Sequence, residues 1–357
     1  MNVSQVVKIS VLHVILLSMT VIGLKNHVTI LPGILEYAKR DGWMSVVIGF
    51  IVVIPWLYFV WRVHRRGGIP FTWKNSKSLY ERIGIIIFIL LLFLLSASTM
   101  IEMLQWVKTT FMPYTPMLIL FIIYFILCII FASLGLQTIV IVNVLVLFVV
   151  LVLGFFVAIV NSQFKDYELL LPMLENGIMP PLIGSIFPIS GYMELIMFLL
   201  IQQHIKTPIK FKYFLLMAIL LMGLTIGPLV GAIVEFGPEE ASIMRYPAFE
   251  EWGLASLGQF IDHMDFFSIY QWMTGAFVRI GFYLFVISQL MDIPQKTKLI
   301  WQHIAIPFAI VCLSMLLLDE QTYLIFNNNI LVYITIGVLL FMPIFLSIRS
   351  RKANPSK

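Results

Sequence analysis

Long apolar stretches separated by short polar segments recur along the whole chain. A helix that crosses a membrane needs about 20 mostly apolar residues. The pattern predicts ten such helices, at about 7–35, 42–62, 83–107, 116–136, 138–161, 179–204, 211–236, 266–291, 299–319 and 324–348. We therefore predict an all-α integral membrane protein in which 1–357 form one transmembrane domain.

The composition supports this class of protein. Hydrophobic residues make up 61% of the chain and charged residues only 11%, whereas a soluble domain has about 25% charged residues. Folded in water, such a chain would expose large apolar surfaces. Both cysteines, Cys128 and Cys312, lie inside apolar stretches, so we expect no disulfide, no metal site and no cofactor.

The basic residues predict the orientation in the membrane. If the N-terminus is cytoplasmic, sixteen of the 23 Lys and Arg residues fall in inside segments and five in outside segments. Cytoplasmic loops carry such an excess, so both termini are predicted to be cytoplasmic. The net charge of +5 is explained by this bias, and no nucleic acid partner is expected.

The middle of the first predicted helix is unusually polar. Charged groups at the bilayer centre cost about 2.5–3.5 kcal/mol each on insertion scales, so they persist where they face protein or water. An interruption at this point would free backbone groups to bind a ligand. The candidate ligand-binding residues of this segment are Gly23, Leu24, Lys25, Asn26 and His27.

The sixth predicted helix carries a similar feature. Pro188 removes a backbone donor and Gly191 permits unusual torsions, so the sequence predicts an interruption over 188–192. The candidate ligand-binding residues here are Ser190, Gly191, Tyr192 and Glu194.

Interrupted helices at matching places in two halves of a chain are the best sequence indication of a transporter-type binding site. Helices one and six of ten match two inverted repeats of five helices, at about 7–161 and 179–348. Glycine and proline are also common in membrane helices, where a kink often serves packing alone. The polar residues at both places favour a ligand site in the middle of the bilayer.

Arg279 lies near the middle of the eighth predicted helix and needs a partner. We predict that it pairs with Glu194 or takes the place of a coupling sodium ion between helices one and eight. A purely structural ion pair is the alternative. Lys25 either binds a ligand carboxylate or neutralises Glu194, whereas Glu102 is interpreted as an interface residue. The outer connection at about 237–265 is long enough for a surface helix or a flap.

Four segments resemble the B-subunit family of spore germinant receptors, the endospore germination permeases of the amino acid–polyamine–organocation superfamily. They are KTTFMPYTP at 108–116, ELIMFL from Glu194, RYPAFE at 245–250 and the stretch at 272–279. The resemblance covers nearly the whole chain, including its length, the number of helices and the acidic outer connection.

The resemblance implies a five-plus-five inverted-repeat fold in the inner membrane of dormant spores. It also implies a membrane A subunit and a lipoprotein C subunit as partners, and a germinant such as an amino acid, a sugar or a nucleoside as the ligand. The family usually has a small, glycine-containing stretch in helix one. The bulkier residues at 24–27 would shrink the pocket or change its chemistry.

Three functions remain open at this point. The first is a germinant sensor in which the ligand's carboxylate lies at a half-helix N-terminus, its ammonium faces free carbonyls or Glu194, and binding signals to partner subunits. The second is a proton-coupled amino acid permease with Glu194 as the proton carrier. The third is a channel-forming helper without a ligand. No arrangement of residues suggests catalysis, so an enzyme is not expected.

Overall fold

The structure is a computed structural model that describes residues 8–67, 72–76, 78–256, 264–294 and 297–353. Ten helical segments of the described residues are numbered here helix 1 to helix 10 in chain order. Their bounds are Val11–Val21, Lys25–Thr29 and Leu31–Ala38 for helix 1, Gly42–Gly67 for helix 2, Leu79–Thr110 for helix 3, Met117–Ser133 for helix 4, Leu136–Val160 for helix 5, Met179–Gly184, Ile186–Met193 and Met197–Leu200 for helix 6, Phe211–Phe236 for helix 7, Phe266–Leu290 for helix 8, Thr297–Ile300, Trp301–Ala305 and Ile306–Leu316 for helix 9, and Glu320–Ile325, Phe326–Ile330 and Leu331–Ala353 for helix 10.

Within the described residues, nine stretches are long and apolar enough to cross a membrane. One of them, Leu31–Arg65, joins the second half of helix 1 to helix 2. Helix 4 is also apolar but shorter, with 17 residues or about 25 Å at 1.5 Å per residue. The class of protein predicted from the sequence, an α-helical integral membrane protein, is confirmed. The predicted start at 7 lies outside the described residues.

Helix 1 is interrupted within the polar segment, but its backbone does not open. Lys25–Thr29 forms a single π-helical turn. The N–H of Asn26 still bonds to the carbonyl of Ile22 at 3.0 Å, and the N–H of Ile30 bonds to the carbonyl of Lys25 at 3.1 Å. The prediction that free backbone groups here meet a ligand is therefore not met in this conformation. A π-helical turn widens the helix and frequently occurs at functional sites.

The predicted interruption of helix 6 over 188–192 is wrong, because these residues lie inside the α-helix Ile186–Met193. Pro188 is the third residue of that helix, where a missing N–H breaks no helical hydrogen bond. The interruptions lie on either side, at Ser185 and at the 3₁₀ turn Glu194–Ile196. Glu194 therefore occupies the first position of the irregular turn.

Helices 6 and 8 form the centre of the bundle. In the apolar 18-residue stretch of each of these helices 78% is buried inside the protein, compared with 28% in the corresponding stretch of helix 5. Charged groups on the two central helices are consequently shielded from lipid by the surrounding helices, which is the condition under which they are tolerated in a membrane.

The outer connection between helices 7 and 8 contains two short helices, Pro238–Ile243 and Pro247–Leu254. Between them, Arg245 pairs with Glu320 at the start of helix 10 and donates to Gln105 of helix 3 at 3.3 Å. The connection therefore holds two helices of the bundle together at this end. The predicted residues at 257–263 lie outside the described part of the chain.

Candidate ligand-binding site

Three charged side chains from three helices meet in the middle of the bundle. The ammonium of Lys25 lies 2.9 Å from Oε1 of Glu194. The guanidinium of Arg279 lies 2.9 Å from Oε2 through Nη1 and 3.3 Å from Oε1 through Nη2. These distances confirm the predicted pairing of Arg279 with Glu194. Lys25 also pairs with this carboxylate, so helices 1, 6 and 8 are joined at one point.

Further hydrogen bonds fix the orientation of Arg279 and Glu194. Nε of Arg279 donates to the hydroxyl of Thr99 at 3.0 Å, and Nη1 donates to the carbonyl of Val21 in helix 1. The hydroxyl of Tyr283, one turn after Arg279 on helix 8, donates to Oε2 of Glu194. Each oxygen of Glu194 thus accepts two hydrogen bonds, so this carboxylate has little capacity left for a ligand.

The cluster has an excess of positive charge, because two cations share one carboxylate. Lys25 is 7% exposed and Arg279 is 2% exposed, so bulk water compensates neither of them well. The Lys25 ammonium can donate three hydrogen bonds, and in the described part of the chain it donates one, to Glu194. The site therefore favours a further anionic group next to Lys25.

A polar cavity adjoins the cluster. Its volume is about 20 Å³, which is room for about one water molecule. Its lining comes from helices 1, 3, 6, 8 and 10. The lining residues are Lys25, Thr29, Ile30, Leu95, Ser98, Thr99, Glu102, Phe187, Arg279, Asn327, Asn328, Leu331 and Val332. In this conformation the cavity is too small for an amino acid, so binding one requires the surrounding helices to separate.

Glu102 of helix 3, interpreted from the sequence as an interface residue, contacts helix 1 and is also part of this cavity lining. Its Oε2 accepts a hydrogen bond of 3.0 Å from the hydroxyl of Thr29 in the π-helical turn of helix 1. Its depth along helix 3 suggested an outer position, but the π-helical turn brings Thr29 towards it. The cavity thus has cations from Lys25 and Arg279 and a carboxylate from Glu102.

Asn327 and Asn328 of helix 10 complete the polar lining, and the sequence analysis missed them. They belong to another π-helical turn, Phe326–Ile330. The hydroxyl of Ser98 donates to Oδ1 of Asn327. The three consecutive asparagines at 327–329, inside an otherwise apolar helix, were the signal available in the sequence.

Of the five residues predicted in helix 1, Lys25 is among the cavity lining and the other four are not. A Cβ on Gly23 would lie 3.1 Å from Leu224 of helix 7, and Leu24 packs against Gly275 of helix 8. Nδ1 of His27 lies 2.9 Å from the carbonyl oxygen of Leu224. In helix 6, Ser190 bonds to a carbonyl of its own helix at 2.7 Å, and Tyr192 packs edge-on against Phe50. Their predicted contact with a ligand stays a prediction.

Asn26 and Gly191 form a tight contact between helices 1 and 6. A Cβ on Gly191 would lie 1.9 Å from Oδ1 of Asn26, so a glycine is required opposite this side chain. Asn26 is fully buried, and neither polar atom of its amide has a hydrogen-bond partner among the described residues. Such an unsatisfied group costs about 1–3 kcal/mol, and where it is retained it often has a function.

These features define an α-helical membrane protein with a buried charged cluster and a small polar cavity lined by five of its helices. A sequence model of the family described as "Spore germination protein" matches residues 7–324. The chain belongs to this family, which is one of germination proteins and not of enzymes.

Two relatives show how far the similarity extends. The chain is 37% identical over 332 residues to Spore germination protein XB of Bacillus anthracis, which covers 91% of this chain and 92% of the relative. It is 27% identical over 340 residues to the Putative spore germination protein YfkT of Bacillus subtilis (strain 168), covering 92% of each. The resemblance found in the sequence segments is confirmed at the level of the family.

Proposed function

We propose that the protein is the germinant-sensing membrane subunit of a spore germination receptor. In this proposal it binds a small polar nutrient, an amino acid, at mid-membrane and signals to an A subunit and a lipoprotein C subunit. Membership of the same family as two germination proteins supports a role in spore germination. The observation that carries ligand binding is the cavity between the cations of Lys25 and Arg279 and the carboxylate of Glu102.

An amino acid matches the charges of this cavity. Its carboxylate would approach the unused donors of Lys25, and its ammonium would approach Glu102 and the amide oxygens of Asn327 or Asn328. Glu194 is the weaker partner for the ammonium, because Lys25, Arg279 and Tyr283 already occupy its oxygens. Charge-assisted hydrogen bonds of this kind are about twice as strong as neutral ones.

The small cavity supports a sensing mechanism. A ligand larger than about one water molecule binds an expanded conformation and not the compact one. Only such a difference in affinity lets a ligand shift a conformational equilibrium. We propose that the helices move apart at the π-helical turns of helices 1 and 10 and that the partner subunits respond to this movement.

The arrangement in the membrane is part of the same proposal. We place the ten helices in two inverted repeats of five, in the inner membrane of the spore, with both termini in the cytoplasm. Support comes from the interruptions in helices 1 and 6, which are corresponding members of the two repeats. Arg279, bonded to Val21 of helix 1, would stand where transporters of this type hold a sodium ion between helices 1 and 8.

Proton-coupled uptake of an amino acid is the alternative function. To separate the two, the full-length protein is purified, reconstituted into lipid nanodiscs and screened for saturable binding with a panel of radiolabelled L-amino acids. The amino acid that binds is then offered to proteoliposomes with an imposed proton gradient. The sensor predicts binding without net accumulation. Accumulation driven by the gradient would establish the permease, and a lack of saturable binding would contradict both.

A further inference from the structure

A second polar cluster lies far from the cavity, at the outer ends of helices 5 and 7. Asn161 follows helix 5, Glu235 ends helix 7, and Glu251 belongs to the short helix Pro247–Leu254 of the outer connection. Asn161 is fully buried, Glu251 is 5% exposed, and the side chain of Glu235 is fully buried. Two carboxylates and one amide are thus removed from water at one point.

Hydrogen bonds hold the three groups next to one another. Nδ2 of Asn161 donates to Oε2 of Glu235 at 3.0 Å and to the backbone carbonyl of Glu251 at 2.7 Å. The carboxylate of Glu251 rests on Gly231, where a Cβ would lie 2.8 Å from both of its oxygens. Gly231 and Glu235 are four residues apart on helix 7 and therefore share one face.

Three side-chain oxygens of this cluster lack hydrogen-bond donors. Oδ1 of Asn161, Oε1 of Glu235 and Oε1 of Glu251 are buried, and none has a hydrogen-bond partner among the described residues. The nearest cation is Lys165, whose ammonium lies 3.5 Å from Oε1 of Glu235 and also donates to the carbonyl of Ala158 at 3.2 Å. One ammonium at this distance leaves two carboxylates and an amide oxygen undercompensated.

Buried acceptors without donors need either a proton or a cation. Oε1 of Glu251 is buried without a donor, and no ion pair joins Glu251 to a cation among the described residues. A carboxylate buried in this way requires a positive charge beside it. Carboxylate and amide oxygens are the donors preferred by hard cations such as Ca²⁺.

We propose that Asn161, Glu235 and Glu251 form a binding site for a hard divalent cation of the Ca²⁺ class. The cation would join the outer connection to the ends of helices 5 and 7. No group of three His, Cys, Asp or Glu residues in the described ranges is placed to hold a metal ion, and this site has only two carboxylates. The third protein oxygen comes from the amide of Asn161, and water would complete the coordination.

The test uses the full-length protein in nanodiscs, with Ca²⁺ as the probe and Mg²⁺ as the comparison, and measures equilibrium binding and the melting temperature. Glu251→Gln removes the charge and keeps the shape of the side chain. Glu250→Gln removes the neighbouring, exposed carboxylate and is the matched control. We expect Ca²⁺ to bind and raise the melting temperature of the wild type and Glu250→Gln. In Glu251→Gln the affinity should fall at least about 10- to 100-fold, the loss typical of even an outer-shell change at a metal site.

Lys165→Gln supplies a second test if Glu251→Gln does not fold. Removing the competing ammonium should strengthen Ca²⁺ binding relative to the wild type. Three results would overturn the proposal: Ca²⁺ binding that is unchanged in Glu251→Gln, Ca²⁺ binding that is unchanged or weaker in Lys165→Gln, or no Ca²⁺ binding by the wild type.

A shared proton is the competing explanation, and pH distinguishes it. If a proton neutralises the cluster instead, the fold is stabilised at low pH, and this stability is lost as the pH rises and the proton leaves. A melting temperature that falls in this way with and without Ca²⁺ would assign the cluster to a proton. A fall that Ca²⁺ prevents supports the cation site.

Discussion

The guanidinium of Arg279 on helix 8 and the carboxylate of Glu194 on helix 6 are joined by two hydrogen bonds, of 2.9 and 3.3 Å. Glu194 is fully buried and Arg279 is 2% exposed. Lys25 adds a third charge from helix 1, so the central pair is part of a triad with one carboxylate and two cations. The surplus cation connects this structural pair to the proposed ligand site.

The triad predicts strong coupling between Glu194 and Lys25. Glu194→Gln leaves two buried cations without a counter-charge, and loss of one partner of a buried pair costs about 3–5 kcal/mol. Lys25→Met alone leaves Glu194 paired with Arg279 and Tyr283, so it should cost less. In the double variant one orphaned cation is gone, and part of the stability should return. The measurement is thermal unfolding of the four proteins in detergent, and additive effects of the two changes would contradict the triad.

The contact between Gly191 and Asn26 predicts a rescue. Gly191→Ala places a methyl group 1.9 Å from Oδ1 of Asn26, and overpacking of this kind costs about 1–3 kcal/mol. Asn26→Ala removes the opposing amide and should restore the stability of Gly191→Ala in the double variant. The matched control is Gly223→Ala in helix 7, where nothing lies within 4 Å and alanine is the better helix former. If Asn26→Ala does not restore stability, this packing of helices 1 and 6 is wrong.

Asn26→Ala on its own gives a separate prediction. Because the amide has no partner in this conformation, the variant should unfold at the wild-type temperature or above it. We also expect it to bind the ligand more weakly, because the expanded conformation would give the amide a partner. Lower stability together with unchanged ligand affinity would assign Asn26 to packing alone.

The contacts of Arg245 lead to a prediction about the rate at which a ligand enters the cavity. It joins the outer connection to Gln105 and Glu320 on two helices that line or lead to the cavity. Arg245→Gln should accelerate both association and dissociation while the dissociation constant changes little, because exposed ion pairs contribute only about 0–1 kcal/mol. Stopped-flow or filter-binding kinetics measure this. Lys39→Gln, which breaks the exposed pair of Lys39 with Glu239 on the same connection, is the control and should leave both rates unchanged.

The sequence predicted those features that follow from hydrophobicity and charge. Apolar stretches of sufficient length give helices wherever they occur, so the helical segments were found with shifts of a few residues at their ends. Arg279 and Glu194 were paired correctly because two charges at equal depth in a membrane have few alternatives to each other. The predicted orientation in the membrane rests on the same kind of reasoning and remains part of the proposal.

The remaining features depend on packing that a single sequence does not reveal. Pro188 suggested an interruption, but the effect of a proline depends on how far it lies from the start of its helix. Here the helix starts directly after Ser185. Gly191 was expected to bend the backbone, and its role is to admit Asn26. Glu102 and the asparagines of helix 10 reach the cavity because two π-helical turns rotate the helices locally, and a pattern with a period of 3.6 residues does not include such turns.

In the proposed function Lys25 binds the carboxylate of an amino acid and Glu102 binds its ammonium, and competition binding separates these two contacts. The L-amino acid that binds the wild type in nanodiscs is compared with its amine, which lacks the carboxylate, and with its acid, which lacks the ammonium. Lys25→Met should weaken the amino acid and the acid, but not the amine. Glu102→Gln should weaken the amino acid and the amine, but not the acid.

Each loss should be about 10- to 100-fold, because a hydrogen bond to a charged group contributes about 1.5–3 kcal/mol. Glu250→Gln, on the outer connection, should bind all three compounds as the wild type does. If Lys25→Met and Glu102→Gln retain wild-type affinity for the amino acid, or weaken all three compounds equally, the cavity is not the site that recognises the ligand.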